Sequence, residues 1–387
     1  MPDAPTPSTS PTGATPKPPL RRILAAFLLP LFFIVFFPLA FTSAIHAVGP
    51  NDLAIRIVGP DQVVSKIADG IDRTSAFSVQ RSDRPADARA GVEHREVAGA
   101  ISIQASTPTG AEAAAAPTFT VRTYVASGGG AAAASAVEAL GERVADKLGT
   151  TTKTVDVAPL GTGDPQGTAL FYFLVYTSLA GYLIIIVLMQ VAPGTRLRSR
   201  FGVVAASAIV SPLLAFGLAS IFVGDYGASF GTIAALLGVD AVYIFTVGNI
   251  AILANQFLGN AATFGIMATV VMLNFPSAGG IAPSGMLPGF WQIVHDGYFG
   301  SGAFESFRSL IYFSGNGLGR WFPQLIAWAV GLVLVNLVVR LTVQTRQQRA
   351  EIRSLRPTIT EHRHLVAERH RVEGRPSTVA APKEIFR

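Results

Sequence analysis

The chain has 387 residues, half of them hydrophobic and only 14% charged, with a mean hydropathy of +0.44. Soluble domains carry about 25% charged residues, so this composition excludes an ordinary soluble protein. The chain has no cysteine, which excludes disulfides, Cys-zinc sites, iron–sulfur clusters and thiol nucleophiles. The pI of about 9.8 would suit nucleic acid. However, residues 344–387 hold ten basic and five acidic residues, whereas residues 48–165 hold 11 basic and 14 acidic. The basic excess lies beside apolar segments, so no nucleic-acid partner is predicted.

Six nearly uncharged segments are each long enough to cross a bilayer as a helix, which takes about 20 residues. They cover residues 23–48, 168–192, 201–223, 232–254, 257–275 and 321–343. The first stands alone, and five follow after about 120 mostly polar residues. A cleaved signal peptide has a shorter apolar core, so we favour an uncleaved anchor for the first segment, with cleavage after Ala44 as the alternative. The sequence predicts a polytopic α-helical membrane protein with six transmembrane helices in a one-plus-five layout.

Arginines at the ends of these segments predict the topology, because Lys and Arg in short flanks stay on the cytoplasmic side. The topology-setting residues are Arg21, Arg22, Arg196, Arg198, Arg200, Arg346 and Arg349. Six crossings with the N-terminus inside put every one of them in the cytoplasm. Residues 1–20 then form a disordered cytoplasmic tail before transmembrane helix 1 at 21–48, and residues 346–387 form a basic cytoplasmic tail that contacts membrane lipid. The chain is therefore expected to be a multi-pass protein of a bacterial plasma membrane.

Residues 49–166 are predicted to form an extracytoplasmic α/β domain between transmembrane helices 1 and 2. Strands are expected at 53–58, 77–80, 98–104, 118–126 and 152–157, and helices at 61–70, 85–97 and 131–148. Gly128, Gly129 and Gly130 are not followed by the Gly-Lys-Ser/Thr of a phosphate loop, so a flexible loop is expected there. No metal-ligand, Gly-x-Ser-x-Gly or paired catalytic pattern is present. The domain is therefore interpreted as a binding or assembly module, with no catalytic residue, metal or cofactor.

Residues 167–345 are predicted to form the five-helix transmembrane domain, and Asp240 is the acidic residue that lies well inside one of its helices. A charge there costs about 2.5–3.5 kcal/mol on insertion scales, so the side chain should face the bundle interior or water. It can serve as a pathway carboxylate or as a packing contact to a neighbouring helix, and both interpretations stand. Asn249, Asn255 and Asn260 lie further along, where they are pathway candidates or interhelical hydrogen-bonding groups.

The segment from 277 to 320 is too broken by Gly and Pro to span the membrane, and it is rich in aromatic residues. Such residues suit the membrane–water interface. Two short helices lying on the outer surface are therefore expected, within about 286–313. Their bounds are predicted at about 286–295 and 303–313.

This segment carries a motif that resembles the YhgE/Pip and DUF3533 group of bacterial membrane proteins, within the ABC-2-type permease superfamily. The motif residues are Gly279, Gly280, Pro283, Leu287, Pro288, Phe290, Ala303 and Arg308. The one-plus-five layout also matches, so the resemblance covers about residues 21–345. Members of the group often have a Pro-rich stretch before the Arg, whereas this chain has residues 295–302 without proline.

The resemblance implies a permease-like role: six-span subunits that form a homodimer, or a heterodimer with a similar permease, and export an amphipathic or envelope-related substrate with a separate ATPase. The chain itself has no Walker motif, and the turn after the second segment, at about 193–200, leaves little room for a helix that docks on an ATPase. The alternative function is a non-transport envelope protein whose external domain binds a partner, a cell-wall polymer or a phage. An intramembrane enzyme is the least favoured class, because no paired catalytic constellation is present.

Overall fold

The computed structural model describes residues 20–106, 118–343 and 345. These residues fall into two compact units, of which the first ends at Ala329 and the second begins at Val330. The described residues of the second unit are helical as far as Val343, and the C-terminal tail with Arg346 and Arg349 lies outside the described residues.

The chain begins with an apolar helix, α1, at Leu20–Phe37. The helix widens into a π-helical turn at Pro38–Thr42 and ends with Ser43–Ile45. Pro38 stands at the first position of that turn, where its missing N–H and its ring displace the regular hydrogen-bond ladder. Most large apolar side chains of α1 are exposed, as a lipid-facing helix requires.

A five-stranded mixed sheet follows, with helices on both faces. Its elements are β1 Leu53–Val58, α2 Asp61–Asp72, β2 Phe77–Ser82, α3 Pro85–Glu93, β3 Gly99–Ser106, β4 Thr118–Val125, α4 Ala131–Lys147 and β5 Thr152–Asp156. The strand order is β2-β1-β3-β4-β5. Only the β3–β4 pair is antiparallel. Each predicted strand is present, but α3 ends at Glu93 rather than continuing to 97, because the chain turns there to enter β3.

Alternating side chains give the sheet two separate apolar layers, as the period of two in a strand dictates. Ile55 and Ile57 point to the layer that α4 covers with its stripe of Val137, Leu140 and Val144. The opposite layer contains Val58 and Ala100 with Ala88 and Val92 of α3.

The apolar membrane helices are α5 Ala169–Val191, α6 Leu197–Val223, α7 Phe230–Leu258 and α11 Leu318–Val343. After α7 comes a helical arm that begins with α8, Ala262–Ile266, continues as a π-helical stretch at Met267–Leu273 and ends at Asn274–Ser277. Among the described residues, five helical runs are long and apolar enough to cross a membrane: Phe27–Ile45, Ala169–Val191, Leu197–Val223, Phe230–Ser277 and Leu318–Val343. The chain is thus consistent with a polytopic helical membrane protein.

The run Phe230–Ser277 folds back on itself at Gly259, whose φ of +53° reverses the chain. Tyr243 and Asn274, which are 31 residues apart, meet at 2.9 Å across the two arms. The arms are therefore antiparallel neighbours, and the run corresponds to the two predicted segments 232–254 and 257–275.

Glycines let the membrane helices approach closely. A Cβ on Gly181 of α5 would lie 3.0 Å from the Ile244 carbonyl oxygen of α7. A Cβ on Gly248 of α7 would collide with Val204 of α6. These contacts place α7 at the centre of a three-helix group, consistent with the small residues that pack membrane helices.

Two further helices, α9 Gly289–Gly297 and α10 Phe299–Tyr312, lie in the segment before α11. That both lie at the outer membrane surface stays a prediction, but α10 is not exposed there, because it is buried in the protein from Phe299 to Ser309. Its aromatic side chains pack inward instead, with Phe304 at 6.0 Å from Phe171 and Phe307 at 5.7 Å from Phe173, between ring centroids. The aromatic content of this segment therefore mainly reflects a core, and Phe290 is the motif residue that remains exposed.

Candidate functional site

Asp240 lies in the middle of α7 with its side chain fully buried. The Thr177 hydroxyl of α5 donates to its Oδ1 at 2.8 Å. Its Oδ2 has no hydrogen-bond partner, and no Lys or Arg pairs with it in the part of the chain that the structure describes. The structure thus supplies a packing contact for Asp240 and leaves one carboxylate oxygen unused.

A second polar contact lies one helical turn from Asp240. The Asn274 amide donates to the Tyr243 hydroxyl at 2.9 Å. Ser178 of α5 lies close to Tyr243, and its hydroxyl donates to the Val175 carbonyl at 2.8 Å. Gly300 of α10 is in direct contact with the Asn274 side chain. We call Thr177, Ser178, Asp240, Tyr243 and Asn274 the polar layer. It joins α5 and α7 to the second arm and to α10, and all five side chains are buried.

The three asparagines predicted alongside Asp240 do not join this layer. The amides of Asn249 and Asn255 donate to the carbonyls four residues earlier in their own helix, at 2.8 and 3.0 Å. Asn249 is nine residues beyond Asp240, which is about 14 Å along a helix at 1.5 Å per residue. Asn260 is exposed on the turn that follows Gly259. The structure therefore separates these positions from Asp240.

The motif residues of the segment 277–320, by contrast, are brought together by the fold. Gly279 has a φ of +94°, and a Cβ there would lie 2.7 Å from Glu305 Oε1. Gly280 is in direct contact with Phe171 and Pro283 with Gly130. Leu287 and Ala303 are completely buried, and Pro288 precedes the first residue of α9. The motif thus describes close packing between the membrane helices, α10 and the sheet domain.

At the centre of this packing, Glu305 forms ion pairs with two arginines. Arg308, one turn further along α10, donates from Nη1 to Glu305 Oε1 at 2.8 Å. Arg95, which comes from the sheet domain, donates from Nη2 to Glu305 Oε2. We call Arg95, Glu305 and Arg308 the charged triad. Glu305 and Arg308 are each about 4% exposed.

Arg95 reaches the triad from a left-handed backbone position, with φ of 62°, on the turn between α3 and β3. Its Nη1 also donates to the Glu305 carbonyl at 2.8 Å and to the Ser309 hydroxyl at 2.6 Å. The guanidinium lies 4.8 Å from the centre of the Phe313 ring. A non-glycine residue held in this backbone region is uncommon, and the contacts of Arg95 hold it there.

The electrostatics of the triad follow from burial and charge. Burial alone would raise the pKa of Glu305, but the positive charges of Arg308 and Arg95 lower it to about 2. Burial lowers the pKa of Arg308, because it disfavours the charged guanidinium, and the negative charge of Glu305 opposes that shift. Burial also lowers the pKa of His295, whose ring Nδ1 lies 2.7 Å from the Ser277 carbonyl oxygen. Glu305 is therefore ionised at neutral pH.

Backbone and apolar contacts join the sheet domain to the same segment. The Asn51 amide donates to the Leu287 carbonyl at 2.9 Å, and Gln292 donates back to the Asn51 carbonyl at 2.7 Å. Leu287 and Trp291 belong to the apolar core formed with β1 and α4. We call residues 277–320 the outer segment, after the position predicted for it. The sheet domain and the outer segment thus share a core.

The glycine-rich turn after β4 is part of this contact, which corrects the expectation of a flexible loop. Gly128 is buried against Tyr312, and Gly130, with φ of +141°, is in direct contact with Pro283. A larger residue at either position would collide with the outer segment, so the glycines here permit close approach of two backbones.

Between the sheet domain and the outer segment lies a cavity of about 330 Å³. All three members of the charged triad line it, together with His295 and Trp321. Among the described residues, no group of three or more His, Asp and Glu side chains is arranged to hold a metal ion.

The arginines predicted to set topology lie mostly at helix ends. Arg196, Arg198 and Arg200 surround the start of α6, where Arg200 donates to the Thr195 and Pro193 carbonyls at 3.1 and 3.2 Å. Arg21 and Arg22 lie in the first turn of α1. The turn between α5 and α6 is as short as expected, because α6 begins at Leu197.

Residues 21–200 match a protein-family model described as ABC-2 family transporter protein. The matched region begins in α1, includes the whole sheet domain and α5, and ends in the first turn of α6. It covers a little under half of the chain, and it supports the ABC-2 permease superfamily, though not a particular group within it. No curated protein and no solved structure matches the chain.

Sequence reasoning identified Arg308 but missed its partners Glu305 and Arg95. One local signal was available: Glu305 and Arg308 are three residues apart, on one face of a helix otherwise rich in aromatic residues. Arg95 carried no such signal, because its partner is 210 residues away in the sequence.

Proposed function

We propose that the chain is the membrane subunit of an ABC-2-type exporter of an amphipathic or envelope-related substrate, driven by a separate ATPase. The observation that carries this proposal is the ABC-2 family match over α1, the sheet domain and α5 together. The match includes the domain inserted between the first two membrane helices. It therefore covers the order of helix, domain and helix, and not only apolar composition. The resemblance of the segment around Gly279 and Arg308 favours the YhgE/Pip and DUF3533 group within that superfamily.

The proposed topology has six crossings, with both termini in the cytoplasm of a bacterial plasma membrane and the sheet domain outside. The reversal at Gly259 supports an even number of crossings, because it divides the run Phe230–Ser277 into two antiparallel arms. The turn with Arg196 and Arg198 would then face the cytoplasm.

The proposed pathway passes the polar layer. Asp240 offers one unused carboxylate oxygen in this layer, and polar groups in membrane helices commonly mark pathways. A homodimer, or a heterodimer with a similar permease, would complete such a pathway. The exposed apolar surface of α6, including Leu213, Leu218 and Phe222, is available to lipid or to a second subunit.

The energised version of this proposal is tested by purifying the tagged full chain from its native membrane and identifying co-purifying ATPase subunits. We expect one ATPase to be recovered in a fixed ratio, and export to stop when its ATP-hydrolysing residue is replaced. Full export in a strain that lacks every candidate ATPase would contradict the proposal.

The second candidate is an envelope protein that uses the sheet domain to bind a partner, and the cavity beside the charged triad favours it. Deleting the domain would not discriminate the two, because Leu287 and Trp291 would lose the core that they share with β1 and α4. Point variants are sharper. If Asp240→Asn leaves activity intact while variants lining the cavity abolish it, the binding role is favoured over transport.

A further inference from the structure

The cavity between the sheet domain and the outer segment has the size and lining of a small-ligand site. Its volume of about 330 Å³ is at the lower end of the range for ligand pockets. Backbone and side chains from the sheet domain form one wall, and α9, α10 and the start of α11 form the other. Ligand binding in this cavity would require neither a particular direction of export nor an ATPase.

Arg308 is the feature of this cavity that points to a ligand. Its side chain is 5% exposed and lines the cavity, with the Phe304 ring 4.4 Å from the guanidinium carbon. A guanidinium has five N–H donors. Among the described residues, only the bond from Nη1 to Glu305 Oε1 is formed. Arg95 differs, because its two terminal nitrogens are used on Glu305 and Ser309.

The charge balance favours an anion. In the cavity, two arginines share one carboxylate, Glu305: Arg308, which is buried, and Arg95, whose side chain is 14% exposed. This leaves one positive charge without a carboxylate of its own. The acids at the rim do not neutralise it: Glu96 is paired with Arg56 at 2.8 Å, Asp296 lies 3.6 Å from Arg320, and Asp52 is exposed. A buried charge without a partner is costly, so an anion that enters the cavity would stabilise Arg308.

We propose that this cavity binds a phosphate group through the free donors of Arg308. The planar guanidinium fork matches the oxygens of a phosphate and forms paired, charge-assisted hydrogen bonds with them. The phosphate can belong to an anionic phospholipid headgroup or to a soluble phosphate. Phe290 and Ile293 are exposed apolar side chains of α9, the helix that contributes Gln292 and His295 to the cavity, so a surface suited to lipid lies on the same helix.

The test is binding to the purified full chain in a neutral detergent. Three probes are titrated: inorganic phosphate, dihexanoyl phosphatidylglycerol and the zwitterionic dihexanoyl phosphatidylcholine. Binding is measured as the shift in melting temperature with ligand concentration, because a ligand that binds the folded state stabilises it. We expect saturable stabilisation by phosphatidylglycerol, and weaker or no stabilisation by phosphatidylcholine. Saturation by inorganic phosphate as well would identify a free phosphate site, and its absence would identify a lipid site.

Two variants assign the binding to the cavity. Arg308→Gln should weaken binding of the anionic probe about tenfold or more, since hydrogen bonds to a charged group are lost. Ser284→Phe fills the cavity from the outer segment, leaves the triad in place and should abolish binding; it decides the matter if Arg308→Gln does not fold. Arg143→Gln, on the exposed surface of α4 and outside this cavity, should bind like the wild type.

No saturable stabilisation of the wild type by any probe would overturn the proposal. So would equal binding by the wild type and a folded Ser284→Phe variant. Equal stabilisation by phosphatidylglycerol and phosphatidylcholine that survives both variants would likewise contradict it, because the contact would then be made by lipid tails.

Discussion

Asp240 and Glu305 are both buried acids, but their surroundings are opposite. Glu305 accepts hydrogen bonds from two arginines, one of them from the sheet domain. Asp240 accepts one from the Thr177 hydroxyl and has no cationic partner within the residues that the structure describes. Glu305 is therefore held as an anion by its neighbours, whereas no cation among the described residues compensates a charge on Asp240.

The difference separates a structural role from a functional candidate. A buried charge with its partners in place is strongly disrupted by removing one of them, because the others are left uncompensated. When a buried acid that has no cationic partner is neutralised, no uncompensated positive charge is left behind. The charged triad should therefore control whether the sheet domain stays docked, and the polar layer should matter mainly for transport.

The largest effect is expected for Glu305→Gln. This change leaves the buried Arg308 and the partly buried Arg95 without a counter-charge, and breaking a buried pair costs about 3–5 kcal/mol. The melting temperature of the purified chain should fall strongly. The matched control is Glu96→Gln, whose side chain is 52% exposed in its pair with Arg56. It should cost less than about 1 kcal/mol, as surface pairs do, and equal losses for the two variants would contradict the role of the triad.

The pH dependence tests the same residue. The pKa of Glu305 is about 2 in the folded chain, below its ordinary value of 4.5, because two arginines favour the anion despite burial. A lowered pKa stabilises the fold above the unfolded value, and the stabilisation is lost as pH falls through the folded value. The stability difference between wild type and Glu305→Gln should be constant above about pH 4.5 and shrink toward pH 2. A difference that grows on acidification would contradict this assignment.

Gly279→Ala should lower the stability of the fold less than Glu305→Gln does. Its φ of +94° disfavours a side chain, and the added Cβ would lie 2.7 Å from Glu305 Oε1 and 3.0 Å from the His295 ring. Overpacking of this kind costs about 1–3 kcal/mol. Gly297→Ala is the control, because nothing lies within 4 Å of its Cβ position. Thermal unfolding of both variants measures the difference, and a Gly279→Ala protein as stable as the control would show that the approach to Glu305 is not tight.

Asp240→Asn should change stability least. The amide oxygen can still accept from the Thr177 hydroxyl, and no cation is left without a partner. The shift in melting temperature should correspond to a loss of less than about 1 kcal/mol in the free energy of unfolding, because the hydrogen bond from Thr177 is kept. Thr177→Val, which removes the donor and keeps the shape, is the paired variant. A collapse of the fold in Asp240→Asn would indicate a cationic partner and would remove the contrast with Glu305.

The sequence predicted the local elements well and the contacts between distant segments poorly. The strands of the sheet and the apolar helices follow from patterns of two and of about twenty residues, which are local. The burial of α10 was not predictable in this way, because Phe299, Phe304 and Phe307 suit a membrane interface as well as a core. The docking of Arg95 on Glu305 depends on how two separate regions fold together, and no short pattern records it.

The orientation of the sheet domain is the claim on which the proposed export function most depends, and the cysteine-free chain allows it to be measured directly. Single cysteines would be placed at Thr151, exposed at the edge of the sheet domain, and at Ser199, exposed near the basic turn before α6. Intact cells would then be treated with a membrane-impermeant maleimide. We predict that Thr151→Cys is labelled in intact cells and that Ser199→Cys is labelled only after the membrane is opened. Labelling of Ser199→Cys alone in intact cells would place the domain in the cytoplasm and contradict the account.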